Sequence, residues 1–497
     1  MKNTGIFLIL TALVLWIALL FGNTFKLTPE ILFDTASQEH ADLLRPKLEG
    51  LFDQEHSNVF SFSSSIKNAI TEVNNELDAE GKSHQKIYDT YELSLTKASG
   101  NGLVSNNKGL LFGLVFSLLV LGALMFILPD LNLLPGIKND GIFHHPGTSV
   151  KWLGIILGAL LIIFYILLYF FPHFISNWII VLDPLSNFMN GNKASQWFLY
   201  GFLYTIAVLV MGIRMLVKYL HSKYQMIRTG SVMFFQLIFA FMIPEILTKL
   251  NMPSADLKNM WPLDYSFFFD YRIDQKIEAG TLGIFMFVWG IILFAVGVPV
   301  LTYFYGKRWY CSWVCGCGGL AETLGDPFRQ LSNKSLKAWK IERWLIHAVL
   351  VFAVIMTIGV IYTYMSGNSA IFGVIDTGTL RYYYGFAIGS IFSGVVGTGF
   401  YPLMGNRVWC RFGCPLAAYL GIVQRFKSRF RITTNGGQCI SCGNCSTYCE
   451  QGIDVRWYAQ RGQDIVRSSC VGCGVCSAVC PRGVLNLENG PESSRNI

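Results

Sequence analysis

The sequence predicts a mostly α-helical chain: a polytopic membrane bundle of about eight spans, a small helical domain outside the bilayer, and a compact α+β domain at the C-terminal end. Three observations predict it. Hydrophobic residues fill 52% of the 497 positions and charged residues only 14%, where a soluble domain carries about 25% charged. The apolar residues gather into runs of about 20, enough to cross the bilayer hydrocarbon core. None of the 13 cysteines precedes Cys311, and eight of them crowd between Cys439 and Cys480.

The first apolar run, from about Gly5 to Phe21, reads as an uncleaved anchor within residues 1–27, because only Lys2 precedes it and no small-x-small cleavage site follows. Residues 28–108 are acidic and helical in period, with Ile66, Ile70, Val73 and Leu77 on one stripe and Ile87, Tyr91 and Leu95 on another. They form the small helical domain, a spacer or docking surface. Spans two to five fall near Gly109–Leu128, Trp152–Phe171, Trp197–Val217 and Gly230–Leu247, within 109–280. Spans six to eight fall near Thr281–Tyr305, Leu345–Tyr364 and Gly385–Met404, within 281–428. Residues 429–497 complete the chain as the cysteine-rich domain.

Basic residues set the orientation. The links after spans four, six and eight hold Lys218, Lys223 and Arg228; Lys307, Arg308, Arg329, Lys334, Lys337, Lys340 and Arg343; and Arg425, Lys427, Arg429 and Arg431. Those after spans three and seven hold only Lys193 and Arg381. Both termini are therefore expected in the cytoplasm of a bacterial inner-membrane protein, with 28–108 extracytoplasmic. The net charge of +8 is accounted for by these links, which argues against nucleic-acid binding.

Residues 281–428 contain a repeat. Gly306-Lys-Arg308-Trp-Tyr-Cys311-Ser-Trp313-Val-Cys315 aligns with Gly405-Asn-Arg407-Val-Trp-Cys410-Arg-Phe412-Gly-Cys414. Repeats at span ends place equivalent groups around a shared interface. Downstream, Cys439-x-x-Cys442-x-x-Cys445-x-x-x-Cys449 is followed by Cys470-x-x-Cys473-x-x-Cys476-x-x-x-Cys480-Pro481. Three thiolates at this spacing take three corners of a [4Fe–4S] cube, and the fourth Cys of each run reaches the other cluster. The expected sets are Cys439, Cys442, Cys445 and Cys480 for cluster one, and Cys470, Cys473, Cys476 and Cys449 for cluster two. Gly443, Gly472 and Gly474 let the backbone bend close to the sulfurs. Zinc also accepts four thiolates, but its sites use separated Cys pairs rather than tandem runs.

Residues 430–488 resemble bacterial-type two-cluster ferredoxins, with Glu450 where a Pro is usual after the first run. Residues 281–488 resemble the membrane-bound polyferredoxin family that includes NapH, NosR and CcoG, which carries two Cys-x3-Cys-Pro motifs at span ends ahead of the ferredoxin domain. Here Cys410-x3-Cys414-Pro415 keeps that motif, whereas Cys315 is followed by Gly316-Cys317. Cys311, Cys315, Cys317, Cys410 and Cys414 are thus candidates for an additional redox metal site, a further Fe–S or a copper centre, or a reversible dithiol; packed reduced cysteines are the alternative. The resemblance implies an iron–sulfur electron-transfer protein in a respiratory chain, with a redox partner protein, linking the quinone pool or a cytoplasmic donor to a reductase or its maturation. A quinol dehydrogenase subunit, a cupric reductase aiding oxidase assembly (CcoG-like) and an Fe–S redox sensor are its rivals. Only 17 residues follow Cys480, fewer than the further domain of CcoG-like proteins needs.

Weaker candidates remain. His347 and His221 could ligate haem or contact quinone, Glu245 could accept a quinol proton, and His144-His145 is a loop pair. No nucleotide fingerprint occurs, and the outer domain shows no sign of the covalent flavin domain of NosR-like proteins.

Overall fold

A computed structural model describes residues 1–82, 85–133, 144–368, 370–371 and 373–490. Residues 134–143 of the loop after the second span, and 491–497 of the expected C-terminal domain, lie outside the described residues. Among the described residues, seven helices are long and apolar enough to cross a membrane: Lys2–Phe21, Lys108–Asn132, Trp152–Phe170, Gln196–Lys218, Lys223–Lys249, Gly280–Tyr305 and Leu336–Ser366. The chain is a multi-pass membrane protein. The eighth run expected is helical but broken, passing from Thr377–Tyr384 through a π-helical stretch Gly385–Val396 to Gly397–Gly399, with Tyr401–Met404 beyond Phe400. Its glycines, serines and Tyr382, Tyr383 and Tyr384 dilute its apolar character.

The chain divides into two compact units, Met1–Pro129 with Ile166–Leu203, and Asp130–Tyr165 with Tyr204–Ile497. In the first, helices Lys2–Ala18 and Lys108–Ile127 pack together. They approach at two glycines: a Cβ on Gly5 would lie 2.6 Å from the Gly122 carbonyl oxygen, a contact that only small residues permit. The segment between these spans buries the stripes expected of it. Ile66, Ile70, Val73, Leu77, Ile87 and Leu95 sit in one core, with Tyr91 packed against it. The sequence reading missed a three-stranded antiparallel sheet, Glu55–His56, Asn23–Lys26 and Gly100–Gly102 in spatial order. Strands of two to four residues carry too few alternations to register as a pattern. Nearby, His173 Nδ1 comes within 3.2 Å of Glu92 Oε1. Burial raises the Glu92 carboxyl to about 7 and lowers His173 to about 4.

In the second unit, the C-terminal segment closes with strand Arg431–Thr434 antiparallel to Leu485–Glu488, Arg431 opposite Glu488. Between them lie three short helices, Asn444–Thr447, Val455–Gln460 and Val475–Ala478. Phe430, Ile432, Ile453, Val455, Ile465 and Leu485 form the core beneath them, packed with the cysteines.

Candidate metal centres

The two cysteine runs fold as copies of one another. Gly443 and Gly474, with φ of 80° and 73°, stand at the N-termini of the short helices that carry Cys445 and Cys476. Two residues earlier, Ser441 (φ 60°) and Gly472 (φ 62°) share a left-handed turn. Only the second demands glycine, because a Cβ at 472 would meet Arg308 Cβ at 2.5 Å and the Phe430 ring at 3.0 Å. Four residues past each terminal cysteine a backbone N–H returns to the sulfur: Ile453 N donates to Cys449 Sγ and Val484 N to Cys480 Sγ, both at 3.4 Å.

These turns sort the thiols. Cys439, Cys442 and Cys445 line one pocket together with Cys480 from the other run. Cys449 lies within electrostatic reach of Cys470, and Cys476 within that of Cys473, Cys470 and Cys449, with Cys445 of the first set also near; all but Cys473 share one core with Cys439. Cys442 is exposed, whereas Cys445, Cys470 and Cys476 are buried. The loop 470–473 is gripped from both repeat copies and from the helix Lys223–Phe234. Ser312 Oγ donates to Val471 O at 2.7 Å, Gln424 Nε2 to Cys470 O at 2.9 Å and to Arg467 O at 2.7 Å, and Tyr224 OH to Gly472 O at 2.8 Å.

The repeat brings its five thiols together. Cys311, Cys315, Cys317, Cys410 and Cys414 line one enclosed pocket with Tyr310, Trp409 and Leu416. In each copy a short turn, Arg308–Cys311 or the π-helical Trp409–Gly413, carries the first cysteine. The second cysteine then caps a helix, Cys315 before Gly316–Thr323 and Cys414 before Pro415–Lys427. Cys414 Sγ accepts from Ala417 N at 3.4 Å, but burial and the neighbouring thiols outweigh that bond and push the Cys414 thiol well up. Cys315 is lowered to about 6 by the S–H of Cys317, against the effect of burial. Burial pushes Cys311 up to about 12. Cys473, from the dicluster segment, packs against the same apolar cluster as these thiols.

The donor sets fit polynuclear iron better than a single ion. A tetrahedral zinc with Zn–S of about 2.3 Å sets its sulfurs about 3.8 Å apart. Among the described residues, no three of these cysteines bring their sulfurs within 4.8 Å of one another; the group that does so is Glu322, Glu450 and Cys473. Its carboxylates are held by arginines, so it is an ion-pair core. The corners of an iron–sulfur cube lie farther apart than the ligands of one metal, so they do not call for such a close triple. Burial raises Cys445 and Cys470 to about 11 each, so a metal must displace their protons for the thiolates to form.

Glu450 is the residue that sequence reasoning undervalued. It is completely buried, pairs with Arg329 Nη1 at 2.8 Å and Arg407 Nη2 at 2.9 Å, and its carbonyl accepts from Ser332 Oγ at 2.7 Å. Glu322 pairs with Arg228, Arg329 and Arg407 at 2.5 Å each. Burial would raise its carboxyl, but those three guanidiniums outweigh it and hold Glu322 well below the usual range. Asp326 adds Arg329, Lys218 and Arg214. Five cations against three carboxylates leave an excess of two positive charges in a buried core. That excess faces sulfur: Arg407 Nη1 lies 3.7 Å from Cys410 Sγ, and Cys473 is close enough to act on the Arg228 charge. Anionic thiolate centres on both sides would neutralise it.

The weaker candidates stay apart from these sets. His347 Nδ1 donates to Arg343 O of its own helix at 2.6 Å, and His221 is exposed beyond Lys218. Glu245 is half-buried in the first turn of Ile243–Lys249. His145 Nδ1 accepts from Gly147 N at 3.2 Å, shaping its own loop beside His144. Among the described residues, none of these joins a group of metal-ligating side chains.

Comparison with known proteins agrees with this geometry. The family described as "4Fe-4S binding domain" matches residues 287–335 and 384–433, one copy on each repeat. The "4Fe-4S dicluster domain" family matches 413–487. A protein named for electron transport, YccM of Escherichia coli K12, is 29% identical over 157 residues, 30% of this chain and 43% of its own length. The methylamine utilization ferredoxin-type protein MauN of Methylobacillus flagellatus is 30% identical over 168 residues, 31% of this chain and 54% of its own length. The chain thus spans about half the length of the curated relatives it matches. No solved structure matches it. The C-terminal part of this multi-pass membrane chain is therefore iron–sulfur binding, two copies of a 4Fe–4S binding domain running into a dicluster domain.

Proposed function

We propose that the chain is a membrane-bound electron carrier holding two [4Fe–4S] clusters in its C-terminal domain and a third iron–sulfur centre at the repeat. Cys439, Cys442, Cys445 and Cys480 would hold the first, Cys470, Cys473, Cys476 and Cys449 the second, and thiols drawn from Cys311, Cys315, Cys317, Cys410 and Cys414 the third. Bound there, each cluster supplies reversible one-electron storage. The observation that carries the reading is the gathering of Cys480 with the first run around one pocket, which nothing but a shared ligand requires of four thiols so far apart in sequence. Protein residues do the rest: Cys442 leaves the first set open to a partner protein, while the buried cations offset the charge of the inner sets.

The names of the relatives support electron transport as the role. The wider reading comes from family resemblance: an inner-membrane protein with both termini cytoplasmic and 28–108 outside, linking the quinone pool or a cytoplasmic donor to a partner reductase. The match of a 4Fe–4S binding domain to each repeat copy favours iron–sulfur over a single copper ion.

The test is anaerobic purification with iron counting and EPR of the reduced protein. About eight irons would indicate two clusters and about twelve a third. Replacing Cys311, Cys315, Cys410 and Cys414 by Ser should remove only the difference. Zinc in place of iron would overturn the reading.

A further inference from the structure

A cavity of about 880 Å³ opens between the start of helix Leu336–Ser366, the helix Pro415–Lys427 and the loops 451–454 and 466–469. Its wall carries six cationic side chains against two carboxylates, Glu342 and Asp454. Both carboxylates are already engaged, Glu342 by Arg411 at 2.6 Å and Asp454 by Ser446 Oγ at 2.6 Å. Among the described residues, Arg343, Arg425 and Arg467 have no carboxylate within 4.0 Å. Arg343 and Arg467 instead lie over the same Trp339 ring, at 5.3 and 4.8 Å. Two guanidiniums flanking one indole repel each other unless an anion joins them.

The three arginines of this wall that pair with no carboxylate call for an anionic group with several oxygens. Phosphate meets that need, because guanidinium forks pair with its oxygens in parallel.

The rim identifies the source. Trp344, Phe426 and Leu336 are 74%, 70% and 63% exposed, where the helix Leu336–Ser366 passes from its basic first turns into its apolar run. Exposed aromatic and apolar side chains beside unpaired arginines at a span end mark headgroup depth, and basic pockets between spans take anionic headgroups. The cavity is also larger than a lone phosphate needs.

We propose that this cavity binds the phosphate headgroup of an anionic phospholipid, wedged between the span end and the loops that flank Cys449 and Cys470. The test uses the full chain purified in detergent, with lipid retention measured by native mass spectrometry against phosphatidylglycerol and phosphatidylcholine. Phosphatidylglycerol should be retained and phosphatidylcholine not. The variant Arg343→Gln/Arg425→Gln/Arg467→Gln should lose affinity by about a hundredfold, while Arg45→Gln/Lys82→Gln/Lys86→Gln, far away in sequence, should not. Both should keep the iron content of the parent; should the first lose iron, Arg425→Gln alone replaces it with a smaller loss expected. Equal retention of the two lipids, unchanged affinity in the arginine variant, or displacement of lipid by millimolar inorganic phosphate would each overturn the proposal, the last by making a soluble anion the ligand.

Discussion

Replacing Glu450 by Leu isolates the role of the buried ion-pair core. The substitution removes two pairs, to Arg329 at 2.8 Å and Arg407 at 2.9 Å, between side chains that are at most 1% exposed. It also raises the excess of buried positive charge from two to three. Removing one partner of a buried pair costs about 3–5 kcal/mol, because the other charge stays stranded. At about 1.4 kcal/mol per power of ten, the segment that follows Cys449 should open about 10²- to 4 × 10³-fold more often. Iron release to a chelator, followed anaerobically by loss of visible absorption, reads that opening, and its rate should rise by the same factor. Glu450→Gln keeps an acceptor oxygen and should fall between parent and Leu variant. A Leu variant that released iron within about threefold of the parent rate would refute the idea that this core clamps the dicluster segment.

Three further outcomes are expected. Gly472→Ala should yield protein short of iron, because its Cβ runs into Arg308 and Phe430, whereas Gly462→Ala, at φ 63° with open space around it, should cost only about 1 kcal/mol and keep its iron. Cys480→Ser and Cys442→Ser should abolish the same EPR signal, and Cys449→Ser the other; loss of one signal by both Cys449→Ser and Cys442→Ser would refute the crossed ligand sets. Glu92 holds its proton more tightly folded than unfolded, from about 7 against 4.5, so its contribution is full at acid pH and is lost as pH rises through about 7. Glu92→Gln should therefore unfold like the parent near pH 4.5 and at a higher temperature than the parent near pH 8, as read by thermal melts in detergent.

Features written in contiguous residues were legible in the sequence. The Cys-x-x-Cys runs are local, so candidate ligand sets could be proposed from spacing alone, and apolar runs of bilayer length gave the spans. Gly472 and Gly474 declared tight turns, although Ser441 shows that the equivalent bend does not always need glycine. Features assembled from scattered single residues were not legible. Arg228 and Arg329 were read as charges of membrane links, Arg407 as a repeat position and Glu450 as a departure from the usual Pro, and no spacing showed that they converge with Glu322. Glu450 stood out only as a residue where a Pro is usual beside a candidate ligand, with no sign of the arginines it meets. Arg343 and Arg425 were likewise read only as topology signals, because convergence on a shared cavity has no linear signature. The helical stripes of 28–108 were plain, but its sheet rests on strands too brief to alternate.

The bonds from Ser312, Gln424 and Tyr224 to the 470–473 loop bear on how a partner must behave. A redox module bolted to its mount at several points cannot swing like a tethered arm to ferry charge across a gap. Under the proposed role a visiting protein would have to travel instead, and turnover should scale with its concentration and with solvent viscosity rather than with the length of any linker.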